Sequence, residues 1–153
     1  SPTTYMEIEA LVRATHSVFA TLWVGATVYV TYAVLPALGD GDGTAAFADR
    51  LSSRFTVVSV VSAVILFVTG GHLAGTLYTF EGLVSTTRGN LVVAMTALWL
   101  VLAGVLHVGA KRLDDGVEED KIREPASDAY PWFVTGSVLG VALLVVGVGF
   151  AYV

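Results

Sequence analysis

Apolar residues run almost unbroken through four stretches, roughly 10–37, 55–79, 90–110 and 131–153, separated by segments rich in Asp, Glu and Gly. Each stretch reaches the ~20 residues that a helix needs to cross about 30 Å of hydrocarbon. Backbone groups in lipid find no water, so each must be satisfied within its own segment, which makes these stretches helices rather than strands. The pattern predicts an all-α protein, an integral membrane antiparallel four-helix bundle. It forms a single transmembrane domain over 1–153, with helices at about 7–37, 52–79, 88–112 and 131–153.

The breaks in the pattern carry their own signals. Pro36 and Gly39 are expected to end the first helix, since proline removes a donor and glycine caps. An acidic turn follows over 39–43, and 44–53 reads as a short amphipathic lead into the second helix. The 81–89 connection is short, so helices two and three are antiparallel neighbours. Tyr130-Pro131-Trp132 suits the interfacial aromatic belt, with proline at a helix start. The first helix carries Arg13 and His16 without a basic leader, so it is expected to remain as a span and not be removed as a signal peptide. Gly71-x-x-x-Gly75 and Gly136-x-x-x-Gly140 allow close approach of helix backbones. They leave a homo-oligomer interface and packing within one chain as alternatives.

Composition agrees with the pattern. The chain is 55% apolar and 14% charged, with a mean hydropathy of +0.75, outside ordinary soluble usage. No cysteine is present, so disulfides, thiolate metal sites and iron–sulfur clusters are excluded. The formal charge is −5, and Lys111 and Lys121 are the two lysines. Acidic, lysine-poor loops around a Val/Ala/Gly/Thr-rich core resemble proteins of a halophilic archaeon. No basic patch exists to neutralise phosphates, which argues against nucleic acid as a partner; membrane lipid is the expected surrounding. Counting Lys and Arg near helix ends gives Arg50, Arg54, Lys111, Arg112, Lys121 and Arg123 on one side against Arg13 and Arg88 on the other. The positive-inside rule then puts the chain in the cell membrane, multi-pass, with both termini outside.

Two histidines are the candidate chemistry. His16 lies six residues before the centre of the first stretch, near Leu22, and His72 six residues after the centre of the second, near Leu66. At about 1.5 Å of rise per residue both imidazoles stand roughly 9 Å from the midplane on the same side. Level imidazoles on adjacent spans could supply both axial ligands of haem b. On helix one, Val12, Arg13, His16, Phe19, Trp23 and Thr27 share a stripe; on helix two, Ile65, Val68, Thr69, His72, Gly75 and Thr76 do. Phe19 and Trp23 would wall the macrocycle, Gly75 would admit its edge, and Arg13 and Arg88 would meet the propionates, as a basic residue inside the membrane boundary normally faces a partner. Bis-His ligation closes the iron, so this reading predicts electron transfer with a redox partner or quinone, or haem handling. The bland alternative is that both histidines hydrogen-bond Ser, Thr or carbonyl groups in the bundle. His107, near the opposite end of helix three beside Lys111 and Arg112, reads as an interfacial residue.

The four stretches hold no carboxylate, which argues against a hydrolytic triad, a buried acid relay or a carboxylate-bridged metal centre. Copper is the alternative ligand for paired imidazoles. Its transport as copper(I) recruits soft sulfur, and the chain offers only Met6 and Met95, both away from the His16 stripe. A copper or small-solute permease, or a cofactor-free accessory subunit, is therefore the rival class.

Short motifs carry a family resemblance. Arg13-x-x-His16, Trp23-x-Gly25 and Val34-Leu35-Pro36-Ala37-Leu38 resemble the first helix of the copper-resistance D (CopD-like) domain. Arg54-Phe55, Thr69-Gly70 and Thr87-x-Gly89 resemble the entry, exit and following loop of its second helix. The wider group is similar to HemJ-type protoporphyrinogen oxidases, which bind haem b through a first-helix histidine, and that resemblance points to His16. Those relatives carry a lysine early in the third helix, whereas 89–95 contains none here and Arg88 is the nearest basic group.

Overall fold

The computed structural model describes residues Ser1–Val153, the Ala151 side chain excepted. Four long helices are apolar enough to cross a membrane: span one Pro2–Gly39, span two Ala45–Leu77, span three Thr87–Val117 and span four Arg123–Gly149. A short helix, Phe80–Ser85, joins spans two and three, and a 3-10 turn, Phe150–Tyr152, ends the bundle. Each span packs on its chain neighbour, and span four returns against span one to close the ring. This is the expected all-α bundle of a multi-pass membrane protein.

Spans two, three and four reach past the hydropathy limits because their buried stripes continue beyond the apolar runs. Span two starts at Ala45, capped by Thr44, whose hydroxyl accepts from the Phe47 amide, and it buries Ala48 and Ser52. Span three runs on through Lys111 and Arg112 to bury Leu113 and Val117. Span four starts at Arg123, so Pro131 lies inside a helix and not at its start. Its first turns bury Pro125, Ala126 and Ala129, with Pro125 lying on Gly116 so closely that a Cβ there would overlap the ring. Pro36 does not end span one either. A π-helical stretch, Val30–Val34, precedes it, and the Leu35 amide reaches the Val30 carbonyl. Widening by one residue is a common way for a long helix to take up a proline.

Polar groups inside the bundle are paired across helices, as a medium without water requires. Trp23 Nε1 donates to Ser59 at 3.1 Å, and the Thr31 hydroxyl meets Ser137 at 2.9 Å. At the far end Ser52 donates to the half-buried Asp114 carboxylate at 2.5 Å. Lys121, in the acidic turn before span four, pairs with Glu119 at 3.0 Å and Glu124 at 3.6 Å, and its pKa rises through the Glu119 hydrogen bond first. Two buried polar atoms have no partner among the described residues, Ser62 Oγ and Trp99 Nε1. Removing a satisfied group and removing an orphan have opposite consequences. Ser52→Ala is expected to cost ~1.5–3 kcal/mol, the worth of a hydrogen bond to a charged group, while Ser62→Ala should be neutral or stabilising. Denaturant unfolding of the purified protein in detergent reads both.

Small residues set the approach of spans three and four to their neighbours. A Cβ on Gly136 would lie 2.6 Å from Leu106 Cδ2, and one on Gly140 would lie 3.1 Å from Val24 Cγ2. That Gly-x-x-x-Gly pair serves packing within the chain. Gly71 and Gly75 differ: nothing lies within 4 Å of a Cβ at either.

Candidate functional site

Span one turns its buried stripe, Ala20, Trp23, Thr27 and Thr31, toward the bundle axis. His16 lies on the same stripe, four residues before Ala20 and seven before Trp23. It is half-buried, and its Nδ1 stands 2.7 Å from Thr69 Oγ1 on span two. A Cβ on Gly70 would lie 3.2 Å from His16 Cε1, so glycine at 70 is what lets the imidazole rest on the span-two backbone.

The Thr69 hydroxyl fixes which ring nitrogen carries the proton. Thr69 Oγ1 also stands 2.7 Å from the Ile65 carbonyl, and a carbonyl only accepts. The single hydroxyl proton therefore goes to Ile65, and Thr69 accepts from His16. His16 is held as the Nδ1–H tautomer, which leaves Nε2 with an in-plane lone pair and no proton. A metal-ligating histidine usually donates its other ring N–H to an acceptor that orients it, most often a carboxylate, a backbone carbonyl or water; here a threonine hydroxyl takes that place.

The other expected site residues are not gathered around His16. His72 is exposed on span two; it lies three residues beyond Thr69 and about 60° around the helix from it at 3.6 residues per turn. His16 pairs with Thr69 and its ring rests on Gly70, so the structure does not bring the two histidines together. Arg13 pairs with Glu9 at 3.3 Å on the exposed face. Arg88 donates from Nε to the Val153 carbonyl at 2.7 Å and from Nη2 to the Phe150 carbonyl at 3.1 Å, closing the end of span four as a basic side chain does at a helix C-terminus. Neither guanidinium is left facing a propionate. Trp23 is 1% exposed and bound to Ser59, so it belongs to the core and does not wall a pocket. Phe19 packs partly buried against the same core, and Gly75 faces open space. His107 is exposed. Among the described residues no three His, Cys, Asp or Glu side chains form a group able to hold a metal ion.

Two partners escaped the sequence reading. Thr69 was legible as a residue of the span-two stripe, but its role as a hydrogen-bond acceptor depends on the rotation of span two against span one. Asp114 is part of a helix through Val117, where hydropathy places a charged loop; the spacing Leu106, Leu113, Val117 was the available signal.

A family model described as Copper resistance protein D matches residues 49–151. The chain belongs to that family. No curated protein and no solved structure matches it. Membership ties this multi-pass copper resistance D protein to copper resistance. The matched residues take in Thr69, Gly70 and Gly89 and begin beyond His16. The weight on His16 in this copper resistance D protein therefore rests on its hydrogen bonding and placement, not on the match.

Proposed function

We propose that this copper resistance D protein handles copper within the membrane, with Nε2 of His16 as the nitrogen that takes the ion. The observation that carries the reading is the Thr69 hydrogen-bond pair: donation to Ile65 and acceptance from His16 leave Nε2 of the half-buried imidazole without a proton. Neutral imidazole is a good ligand for copper, and the family supplies the metal. With both termini outside, as the Lys and Arg count expects, His16 stands toward the outer leaflet, where it would meet the ion on the external side.

Haem b, in an electron-transfer or haem-handling role, is the rival for the same nitrogen. What weighs against it is that Arg13 and Arg88 are engaged elsewhere and that His72 is exposed. One preparation separates the two. Protein purified after haem-replete expression and then titrated with copper(I) against a chromogenic chelator is expected to be colourless and to withdraw about one equivalent of the metal. A red protein with a Soret band that His16→Ala removes would overturn copper in favour of haem. A colourless protein that leaves the chelator saturated would reject both.

A further inference from the structure

Spans two and three are joined around an open hollow of about 480 Å³, lined by Leu77–Thr79 on one side and Thr86–Arg88 on the other. That volume lies within the roughly 300–1,000 Å³ of cavities that hold small ligands. The hollow is remote from His16, and what fills it is a separate question from copper.

Helix contacts fix its depth. Ser52 meets Asp114, and Phe67 stacks on Trp99 with ring centroids 5.7 Å apart; this single antiparallel register sets Arg88 level with Tyr78. Tyr78 follows the centre of the apolar run, near Leu66, by twelve residues, or about 18 Å at the rise of a helix. Hydrocarbon ends ~15 Å from the midplane and headgroups reach roughly 20–22 Å, so the hollow stands at the level of lipid phosphates. The short helix Phe80–Ser85 agrees with that depth. Phe80 and Val84, one turn apart, are 82% and 57% exposed, beside the polar pair Glu81 and Ser85. Apolar and polar stripes side by side suit a helix lying in the interface.

The lining offers donors and includes no acid. Arg88 gives Nε and Nη2 protons to the Val153 and Phe150 carbonyls, which uses two of its five N–H groups and fixes the guanidinium plane. It has no Asp or Glu partner, whereas Arg13, the other cation expected on this side, pairs with Glu9. The Thr79 hydroxyl accepts from the Gly82 amide at 3.1 Å and keeps its own proton to give. The exposed Thr87 adds a second hydroxyl. Leu77 and the Tyr78 ring supply the apolar part.

We infer that this hollow is a binding site for an anionic phospholipid, with the lipid phosphate against the free N–H groups of Arg88 and the hydroxyls of Thr79 and Thr87, and the acyl chains descending past Leu77. Guanidinium and phosphate form charge-assisted hydrogen bonds, stronger than neutral ones, and basic pockets at the ends of spans hold lipid headgroups in this way. With no acid in the lining, the ammonium of a zwitterionic headgroup finds no partner there, which favours an anionic lipid. Because Arg88 is also bonded to the end of span four, one phosphate would tie together the ends of spans two and four and the start of span three.

The test is native mass spectrometry of the whole protein extracted from vesicles of equal parts phosphatidylglycerol and phosphatidylcholine. The wild type is expected to retain about one phosphatidylglycerol. Arg88→Gln should weaken that retention about 10-fold or more, the scale of losing hydrogen bonds to a charged group. Arg88 also caps span four, so Thr87→Leu, which leaves that cap in place while filling the hollow and removing a donor, should lower retention independently. Arg54→Gln, at the opposite end of span two, should not. Phosphatidylglycerol added to delipidated wild type should raise the melting temperature with concentration, as a ligand of the folded state does, and phosphatidylcholine should do so less. Absence of a retained lipid in the wild type, equal retention in Arg88→Gln and Thr87→Leu, or no preference between the two lipids would overturn the site. The same rise in melting temperature with inorganic phosphate alone would overturn the lipid as its occupant.

Discussion

Adding one methyl group at Gly89 is expected to unseat the connection between spans two and three and to lower thermal stability sharply. Gly89 is buried in the first turn of span three, and the helix Phe80–Ser85 folds back directly over it. An alanine Cβ would lie 2.5 Å from Leu83 Cα and 2.8 Å from Leu83 C, and would overlap the Gly82 carbonyl oxygen. These are backbone atoms and cannot rotate aside as a leucine end can. Overpacking of this kind costs ~1–3 kcal/mol and sometimes more, against a gain of roughly 1 kcal/mol from replacing glycine inside a helix. Relief requires the short helix to lift away, breaking the cap in which Thr86 Oγ1 accepts from the Gly89 amide at 3.0 Å and disturbing Arg88 at the end of span four. Gly89→Ala should therefore show a lower melting temperature in detergent and faster proteolysis in 80–86. Gly71→Ala and Gly75→Ala, where the added carbon meets nothing within 4 Å, should hold or raise the melting temperature. Equal behaviour of the three variants would remove the close approach as the reason for glycine at 89.

The contrast between those glycines shows where sequence reasoning stops. The number and class of the spans follow from solvent: a helix in lipid must be apolar for about 20 residues, and that run is visible in the chain. Boundaries follow from packing, which hydropathy does not see. Span four extends back to Arg123 because Pro125, Ala126 and Ala129 are buried, although the 123–130 segment is too polar to read as membrane. The Gly-x-x-x-Gly pattern is equally blind, since Gly136 and Gly140 meet neighbouring side chains while Gly71 and Gly75 face outward. The site divides in the same way. Counting residues from the helix centres placed His16 and His72 at one depth, and depth needs only the rise per residue. Which face each histidine presents depends on how spans one and two are rotated against each other, and that rotation is fixed by contacts such as Gly70 under the His16 ring.

The second large effect is expected at His16 itself, and its value lies in the comparison with Thr69. His16→Ala removes the proposed nitrogen and should abolish copper(I) uptake, while leaving the fold intact because the ring is only half-buried and makes one hydrogen bond. Thr69→Val keeps the imidazole and the side-chain shape but deletes the acceptor that holds Nδ1–H. The ring is then free to rotate and to adopt either tautomer, so affinity should fall by ~10–100-fold without being lost. Thr69→Ser retains the hydroxyl and its bond to the Ile65 carbonyl, and should recover most of the wild-type affinity. A merely structural threonine would give another pattern, with valine lowering stability and leaving the affinity of the remaining folded protein unchanged. Nitrogen-15 chemical shifts of His16 supply the independent readout. The wild type should show a protonated Nδ1 and a bare Nε2, and Thr69→Val a mixture of tautomers. A wild-type ring protonated at Nε2 would mean that Thr69 donates to His16, and the nitrogen assigned to copper would then be the wrong one.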